Sequence, residues 1–349
     1  MRRLLLVAVA LGLSASSAGG SANDCAIHPP HGPDANGYWG FSVGLYPAEA
    51  ERRGFAFPPD FEELRSTGAR DVVLPVSFRQ EGVTGVELLS SPDTLPDATL
   101  RHVIRDAHEA RLGVVLLPLV DLVGGGPGEW RGVLRPANVD AWWRSYTRFL
   151  LHYAELAQTE GVEMLVIGSE LSSLSGPGSE ARWAGLTRSV RATYDGPLAY
   201  GANHDALDLR APFAFVDVVG VSAYFPLTRS KDGRSGNLYA ESWRRIARRL
   251  ARLRRELDKP LVLLEVGYAS VADATQHPWD YTSSMPIDLE EQRAAYAALT
   301  DVALDADWLD GVLFWNWLGP GGAHDRWYTP RGKPAMAEAT RLLRGRTGR

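Results

Sequence analysis

Two glutamates follow short apolar runs that are almost a hundred residues apart in the chain. Residues 164–167 lead through Gly168 and Ser169 to Glu170, and residues 261–264 lead directly to Glu265. Four consecutive apolar residues are typical of a strand that is buried on both faces of a parallel sheet. A carboxylate at the end of such a strand is costly to desolvate unless other groups pair with it, so its presence there indicates either such partners or a function. We predict that the two glutamates share one site; two unrelated carboxylates, each paired locally, are the alternative.

Two carboxyl groups that flank one bond have the chemistry of glycoside hydrolysis. One must be protonated, to deliver a proton to the leaving oxygen, and the other must be ionised, to attack or stabilise the sugar carbon. Burial and a like-charged neighbour raise the pKa of one carboxyl, while hydrogen-bond donors keep the pKa of the other low. A separation of about 5 Å between the carboxyl groups is the retaining geometry, which we expect if the strands close into a barrel.

The elements that must position these glutamates alternate along the chain. Predicted strands cover 39–43, 71–78, 113–120, a run that ends at 170, 197–201, 216–224, a run that ends at 265, and 311–317; predicted helices cover 59–67, 97–111, 138–160, 180–194, 206–211, 240–257, 288–305 and 333–343. Eight such repeats predict an α/β fold, a single (β/α)8 TIM barrel. An open doubly wound sheet is the alternative, but no GxGxxG follows the first strand and no GxxxxGK[ST] occurs. The helix at 206–211 is the shortest and should end at Pro212.

In a barrel of this kind, catalytic groups lie at the carboxyl ends of the strands. The residues at those ends are acidic, hydroxylated and aromatic: Ser77, Arg79, Asp121, Ser169, Glu170, Asn203, His204, Ser222, Tyr224, Glu265, Trp315, Asn316 and Trp317. They include no metal-binding triad and no Ser-His-Asp arrangement. We therefore predict a site that uses no metal and no cofactor.

Three motifs carry a family resemblance. The stretches Ile167-Gly168-Ser169-Glu170-Leu171, Glu265-Val266-Gly267-Tyr268 and Phe314-Trp315-Asn316-Trp317 are similar to glycoside hydrolase family 113, a member of the retaining clan A. The likeness runs from about residue 38 to residue 343. Characterised members of that family are mainly endo-β-1,4-mannanases, and the chain also resembles the barrel domain of phage-like gene-transfer-agent proteins.

The resemblance implies roles for individual residues. Glu170 would be the acid/base and Glu265 the nucleophile. Tyr224 would donate a hydrogen bond to the nucleophile, and Trp315 would stack under the sugar at the cleavage point. The remaining residues that we expect to contact substrate are Ser169, Arg79, Asp121, Asn203, His204 and Trp317.

One position departs from the pattern of the clan. Most members have asparagine directly before the acid/base, where it binds the sugar 2-hydroxyl, and this chain has Ser169. Serine is shorter and has one donor where asparagine has two. That contact is either lost, rebuilt through water, or supplied by His204 or Asn203.

The predicted function is an exported retaining β-glycoside hydrolase, acting on β-1,4-mannan or manno-oligosaccharides. A hydrolase of another β-linked glycan is the nearest alternative, and a non-catalytic carbohydrate-binding barrel is the alternative from another class. The formal net charge of −5 argues against a nucleic-acid partner, which would favour a basic surface. The 11 tryptophans fit a carbohydrate partner, because flat aromatic faces suit sugar rings.

The N-terminal sequence has the pattern of a secretory signal peptide. Arg2-Arg3 precedes an apolar run at 4–13 and small residues at 14–22, which is too short for a stable membrane span. We predict a signal peptide at 1–22, a flexible leader at 23–37 and the catalytic domain at 38–345, in a secreted or periplasmic protein. Cys25 is the single cysteine and cannot form an intrachain disulfide. Lipid anchoring through Cys25 is the alternative, but Ala22-Asn23-Asp24 is a poor lipobox.

Overall fold

Eight parallel strands pair in sequence order, and the first also pairs with the last, so the sheet closes into a barrel. The computed structural model describes residues 37–229 and 236–348. The strands are β1 (Tyr38–Ser42), β2 (Asp71–Glu81), β3 (Gly113–Val123), β4 (Met164–Ser169), β5 (Leu198–Asn203), β6 (Val218–Ser222), β7 (Leu261–Val266) and β8 (Gly311–Phe314). The predicted (β/α)8 barrel is confirmed, and the open doubly wound sheet is excluded.

Helices connect the strands and cover the outside of the barrel. They are α1 (Pro47–Arg53), α2 (Phe61–Ser66), α3 (Asp97–Glu109), α4 (Val139–Glu160), α5 (Glu180–Arg191), α6 (Gly236–Leu257), α7 (Leu289–Leu304) and α8 (Ala335–Thr347). Several begin at a side chain that caps their free backbone N–H groups. Asp60 caps α2, Asn138 caps α4 and Asp288 caps α7, each through a carboxylate or amide oxygen.

The barrel has two apolar layers, as strand alternation requires. On β2, Val72 and Leu74 pack outward against the helices, whereas Val73 points into the barrel. The inner layer is a separate cluster of twelve buried side chains: Tyr38, Val73, Val115, Leu117, Leu119, Met164, Val166, Ala199, Val218, Val262, Leu264 and Leu313. The barrel interior is therefore filled, and any open site must lie beyond it at one end.

Four predicted elements described below differ from the structure. Residues 206–211 form no helix; a 3₁₀ turn at Ala211–Phe215 connects β5 to β6 instead, with Pro212 in its first turn, where no backbone N–H is needed. Strands β2 and β3 are longer than predicted, because they stay paired out to Glu81 and Val123. Strand β8 ends earlier, at Phe314.

The long connection from β8 to α8 is fixed by a buried ion pair. The Lys333 ammonium lies 3.1 Å from Asp325 Oδ1, and both side chains are fully buried. The same ammonium donates to Ser270 Oγ at 2.8 Å and to the Trp327 carbonyl at 2.9 Å. This cluster holds the segment that carries Trp327 and Tyr328 against the end of the barrel.

The predicted signal peptide, the leader and Cys25 lie outside the described residues. Across residues 37–229 and 236–348, no helix has the length and apolar character needed to cross a membrane.

Candidate active site

The two glutamates meet at the carboxyl end of the barrel because regular strand pairing breaks next to each of them. The register between β4 and β5 shifts between Val166 and Ser169. A second shift separates Leu263 from Val266 in the pairing of β7 with β8. Such irregularities redirect side chains out of strict alternation. Leu264 fills the barrel interior, and the next residue, Glu265, still faces the same end.

Glu170 lies just past β4 in a left-handed backbone conformation. Its φ is +57°, which is uncommon for a residue other than glycine. Its backbone N–H donates to the Gly201 carbonyl on β5 at 2.7 Å, which holds the turn in place. Backbone strain of this kind persists where the surrounding structure fixes it, and it concentrates at functional sites.

Glu265 is buried and has two hydroxyl groups beside it. The Tyr224 hydroxyl donates to Oε2 at 3.1 Å, and Ser169 Oγ lies 3.5 Å from Oε1. Just past β7 and β8 the two main chains approach closely, because an added Cβ at Gly267 would lie 2.0 Å from the Trp315 carbonyl oxygen. A side chain at position 267 would therefore displace the backbone of Trp315.

A partly buried arginine contacts the other glutamate. The Arg131 guanidinium donates to Glu170 Oε2 at 3.0 Å and to Asp121 Oδ1 at 2.8 Å. Its Nε donates to the Val120 carbonyl at 2.8 Å, at the end of β3. Arg131 lies in a 3₁₀ turn, Arg131–Val133, within the connection from β3 to α4.

Burial and the nearby Glu170 carboxylate raise the pKa of Glu265 to about 8, although Arg131, Tyr224 and Ser169 oppose the rise. A negative charge on one of these two carboxyl groups disfavours a negative charge on the other. We therefore expect the pair to hold one proton near neutral pH. One acid and one carboxylate side by side have the composition needed for acid–base work at a single bond.

The raised pKa of Glu265 predicts a pH-dependent stability. The folded chain binds a proton at Glu265 up to about pH 8, whereas the unfolded chain releases it near pH 4.5. The contribution of Glu265 to the free energy of unfolding is therefore fully present below pH 4.5 and is lost as the pH rises to 8. Glu265→Gln removes the buried charge, so its melting temperature should exceed that of the wild type by roughly 5 °C at pH 8.5 and by little at pH 4.5.

Thermal unfolding at both pH values measures this difference. Glu87→Gln is the control, because Glu87 pairs with Arg148 on the surface and its side chain is 53% exposed. An equal shift at both pH values would contradict the raised pKa.

The glutamates line a cavity of about 890 Å³ at this end of the barrel. Its wall combines carboxylates, amides and aromatic rings; beside the glutamates it includes Tyr46, Asp121, Arg131, Asn203, His204, Tyr224, Trp279, Tyr281, Trp315, Asn316, Trp327 and Tyr328. Within the described residues, no group of three or more His, Cys, Asp or Glu side chains is arranged to hold a metal ion.

An aromatic rim borders this cavity on the side of the β7–α7 connection. Trp279 is 47% exposed and Tyr281 is 69% exposed. The His204 ring stacks on Trp279 with 5.5 Å between ring centroids, and the His277 ring meets Trp279 edge-on. Burial lowers the pKa of His204, which favours its neutral ring. Trp279 therefore keeps a fixed orientation with an open surface.

Six of the eight predicted substrate-binding residues lie in or beside this cavity. Asp121, Asn203, His204, Tyr224 and Trp315 line it, and Ser169 lies beside Glu265. The Asn203 amide nitrogen donates to Asp205 Oδ1 at 2.7 Å, so part of its hydrogen-bonding capacity is already used.

Arg79 and Trp317 are placed elsewhere. Arg79 pairs with Asp93 at 2.8 Å and does not line the cavity. Trp317 is buried against Phe41, with 5.0 Å between ring centroids. Because β8 ends at Phe314, strand alternation no longer fixes the direction of Trp317. The geometry therefore gives no support for substrate contact at either residue.

Comparison with known families gives one match to a family model. The family described as Glycoside Hydrolase Family 113 matches residues 56–326. A comparison with curated proteins finds no match.

Several solved structures are similar over nearly the whole described barrel. The family 113 β-mannanase of Alicyclobacillus acidocaldarius, solved with ManMIm, is 26% identical, with a TM-score of 0.76, covering 89% of this chain and 98% of that one. A second structure, described as a family 113 β-1,4-mannanase complex, is 22% identical, with a TM-score of 0.77, covering 89% and 99%. The endo-β-1,4-mannanase of Thermotoga petrophila is 14% identical, with a TM-score of 0.60, covering 90% and 77%. At such identities the last two show the fold alone.

Proposed function

Since the chain belongs to glycoside hydrolase family 113 and is a retaining glycoside hydrolase, we propose that it cleaves β-1,4-mannan or manno-oligosaccharides, with Glu170 as acid/base and Glu265 as nucleophile. One observation supports this proposal most directly: the buried glutamates after β4 and on β7 line the same cavity. The Tyr224 hydroxyl supports the nucleophile role of Glu265. It donates to Oε2 and so orients the carboxylate, and Oε1 is the oxygen that would attack the sugar.

In the first step, Glu265 attacks the anomeric carbon as its bond to the leaving oxygen breaks. Glu170 gives its proton to that oxygen, so the departing sugar leaves as a neutral alcohol. The proton that the carboxyl pair holds near neutral pH supplies this step. It must lie on Glu170 when the sugar is bound, and the hydroxyl donors on Glu265 favour that arrangement by stabilising its carboxylate.

In the second step, water attacks the glycosyl–enzyme ester. Glu170 removes a proton from the water, and Glu265 leaves as a carboxylate. The two displacements return the sugar with its original configuration. Water and two carboxyl groups suffice for this chemistry, and we propose no cofactor.

Other residues of the cavity have roles in binding. Trp315 would stack under the sugar at the cleavage point. Ser169 Oγ lies 3.5 Å from Glu265 Oε1, so it would contact the sugar from the side of the nucleophile. Trp279 and Tyr281 are far more exposed than buried core aromatics and would contact sugars farther along a chain. The likeness to the Alicyclobacillus acidocaldarius β-mannanase supports mannan as the polymer.

Export is a separate part of the proposal. Residues 1–22 have the charged start, apolar run and small-residue end of a secretory signal. Expression of the full chain in a bacterial host, followed by N-terminal sequencing of the mature protein, tests it. Recovery of an intact residue 1 inside the cells would contradict export.

Product analysis on a panel of β-linked polysaccharides tests the substrate. We expect shorter manno-oligosaccharides from β-1,4-mannan, and NMR of the first product should show the β configuration. Release of products only from another β-linked glycan would make mannan wrong and leave the mechanism intact. An α-configured first product would make the double displacement wrong.

A further inference from the structure

The Arg131 side chain connects the candidate acid/base to a second carboxylate. Its three hydrogen bonds run to the Val120 carbonyl, to Asp121 and to Glu170, at 2.8, 2.8 and 3.0 Å. A guanidinium is a rigid planar fork, so acceptors in these three directions fix its position. The side chain is 21% exposed, and its contact with Glu170 is therefore less screened than a surface ion pair.

We propose that Arg131 is a positioning residue that holds Glu170 as a carboxylate for the second half of the reaction. This inference rests on the proposed function, because only a double displacement requires Glu170 to accept a proton from water. The same residue must be an acid in the first step and a base in the second. A guanidinium keeps its charge throughout, so it stabilises the base form in every cycle.

The other groups that face Glu170 do not replace this contact. In the free chain Glu265 is a like charge that disfavours a second carboxylate, and in the glycosyl–enzyme it is a neutral ester that supplies no cation. Tyr200 and Tyr224 interact with Glu170, and burial raises the pKa of both, so they stay neutral. Asp121 binds the opposite side of the fork and keeps Arg131 from moving toward the nucleophile.

A purely structural role for Arg131 is the competing explanation. The bond to the Val120 carbonyl also ties the β3–α4 connection to the barrel, so loss of Arg131 could disturb the loop. Two substitutions of Arg131 distinguish the effect of its charge from the effect of its packing. Arg131→Lys keeps a cation near the carboxylates but lacks the fork, whereas Arg131→Met keeps much of the apolar stem and removes the charge.

The test is the pH dependence of kcat/KM, measured on the β-glycan that the wild type cleaves. In the wild type, the alkaline limb should lie near pH 8, where the carboxyl pair loses its last proton. Without the Arg131 charge, both limbs should move to higher pH by about 1 unit or more, because carboxylates become costlier to form. Arg131→Lys should keep both limbs near their wild-type positions.

A second measurement isolates the step in question. A 2,4-dinitrophenyl β-glycoside of the accepted sugar has a leaving group that needs no proton, so the second displacement limits kcat. Arg131→Met should lower kcat on this substrate on the order of 10-fold or more, through weaker base catalysis. Arg135→Met is the matched control, because Arg135 pairs with Glu129 in the same connection and its side chain is 64% exposed.

Unmoved pH limbs in Arg131→Met, with activity lowered equally on polymer and dinitrophenyl substrate, would overturn the inference and leave the proposed function standing. If Arg131→Met does not fold by circular dichroism, Arg131→Gln provides the uncharged variant. An inverted first product from the wild type would overturn both proposals.

Discussion

Glu265→Gln should abolish turnover, with a loss on the order of 10⁴-fold or more in kcat on any β-glycan that the wild type cleaves. An amide oxygen is a poor nucleophile toward the anomeric carbon, and the covalent route closes without the carboxylate. The fold should persist, since glutamine has nearly the same shape and can still accept the Tyr224 hydroxyl bond. Kinetics on mannan or manno-oligosaccharides, with melting temperature as the folding control, measure the effect.

Glu170→Gln should lower kcat less than Glu265→Gln does, and the size of its effect should depend on the leaving group of the substrate. General acid–base catalysis typically contributes about 10²–10⁴-fold, so we expect a loss of that size on natural polymers. On a 2,4-dinitrophenyl glycoside the first step needs no proton, and glycosyl–enzyme should accumulate. Glu87→Gln is the matched control on the surface. Wild-type turnover in either active-site variant would remove the assigned mechanism.

Lys333→Met should produce the largest loss of stability, about 3–5 kcal/mol in the free energy of unfolding. The substitution leaves the fully buried Asp325 carboxylate with only the Arg53 guanidinium, 4.0 Å away, as a cation. It also removes donors from Ser270 Oγ and from the Trp327 carbonyl. Burial lowers the pKa of Lys333 to about 8, although Asp325 opposes this effect. The charged ammonium is therefore costly to bury even with its partner present.

Urea unfolding measures this loss, and two further variants separate its causes. Lys259→Met is the control. Lys259 donates hydrogen bonds to the Phe213 and Val216 carbonyls, and within residues 37–229 and 236–348 it forms no ion pair. The double variant Lys333→Met, Asp325→Asn should recover part of the loss, because the unpaired charge is then absent. A loss under 1 kcal/mol in Lys333→Met would contradict the role of the buried pair.

The barrel was predictable from sequence because its strands are apolar on both faces. Runs such as 164–167 and 261–264 have one simple interpretation, and their regular spacing implies parallel crossovers. The predicted helix at 206–211 was wrong because six residues are too few to establish a helical period, and Pro212 is equally compatible with the start of a 3₁₀ turn. The missed helix α1 is only seven residues long.

The site was predictable where its residues end strands, and it was not predictable where they come from connections. Arg131 is 39 residues before Glu170, and nothing local to it indicates a partner on another strand. Trp279 and Tyr281 lie in the β7–α7 connection, where an aromatic residue equally fits packing. Trp317 was assigned by continuing the alternation of β8 past Phe314, where the strand has already ended.

The contact at Gly267 has a consequence for engineering. A methyl group there would lie 2.0 Å from the Trp315 carbonyl oxygen and 3.2 Å from the Tyr328 ring, so the main chain sets the closest approach just past the ends of β7 and β8. Exchanging Glu265 or Trp315 for other residues changes what the cleft presents but not how wide it is at that wall. Broadening it for a branched polymer would require remodelling of the peptide backbone itself.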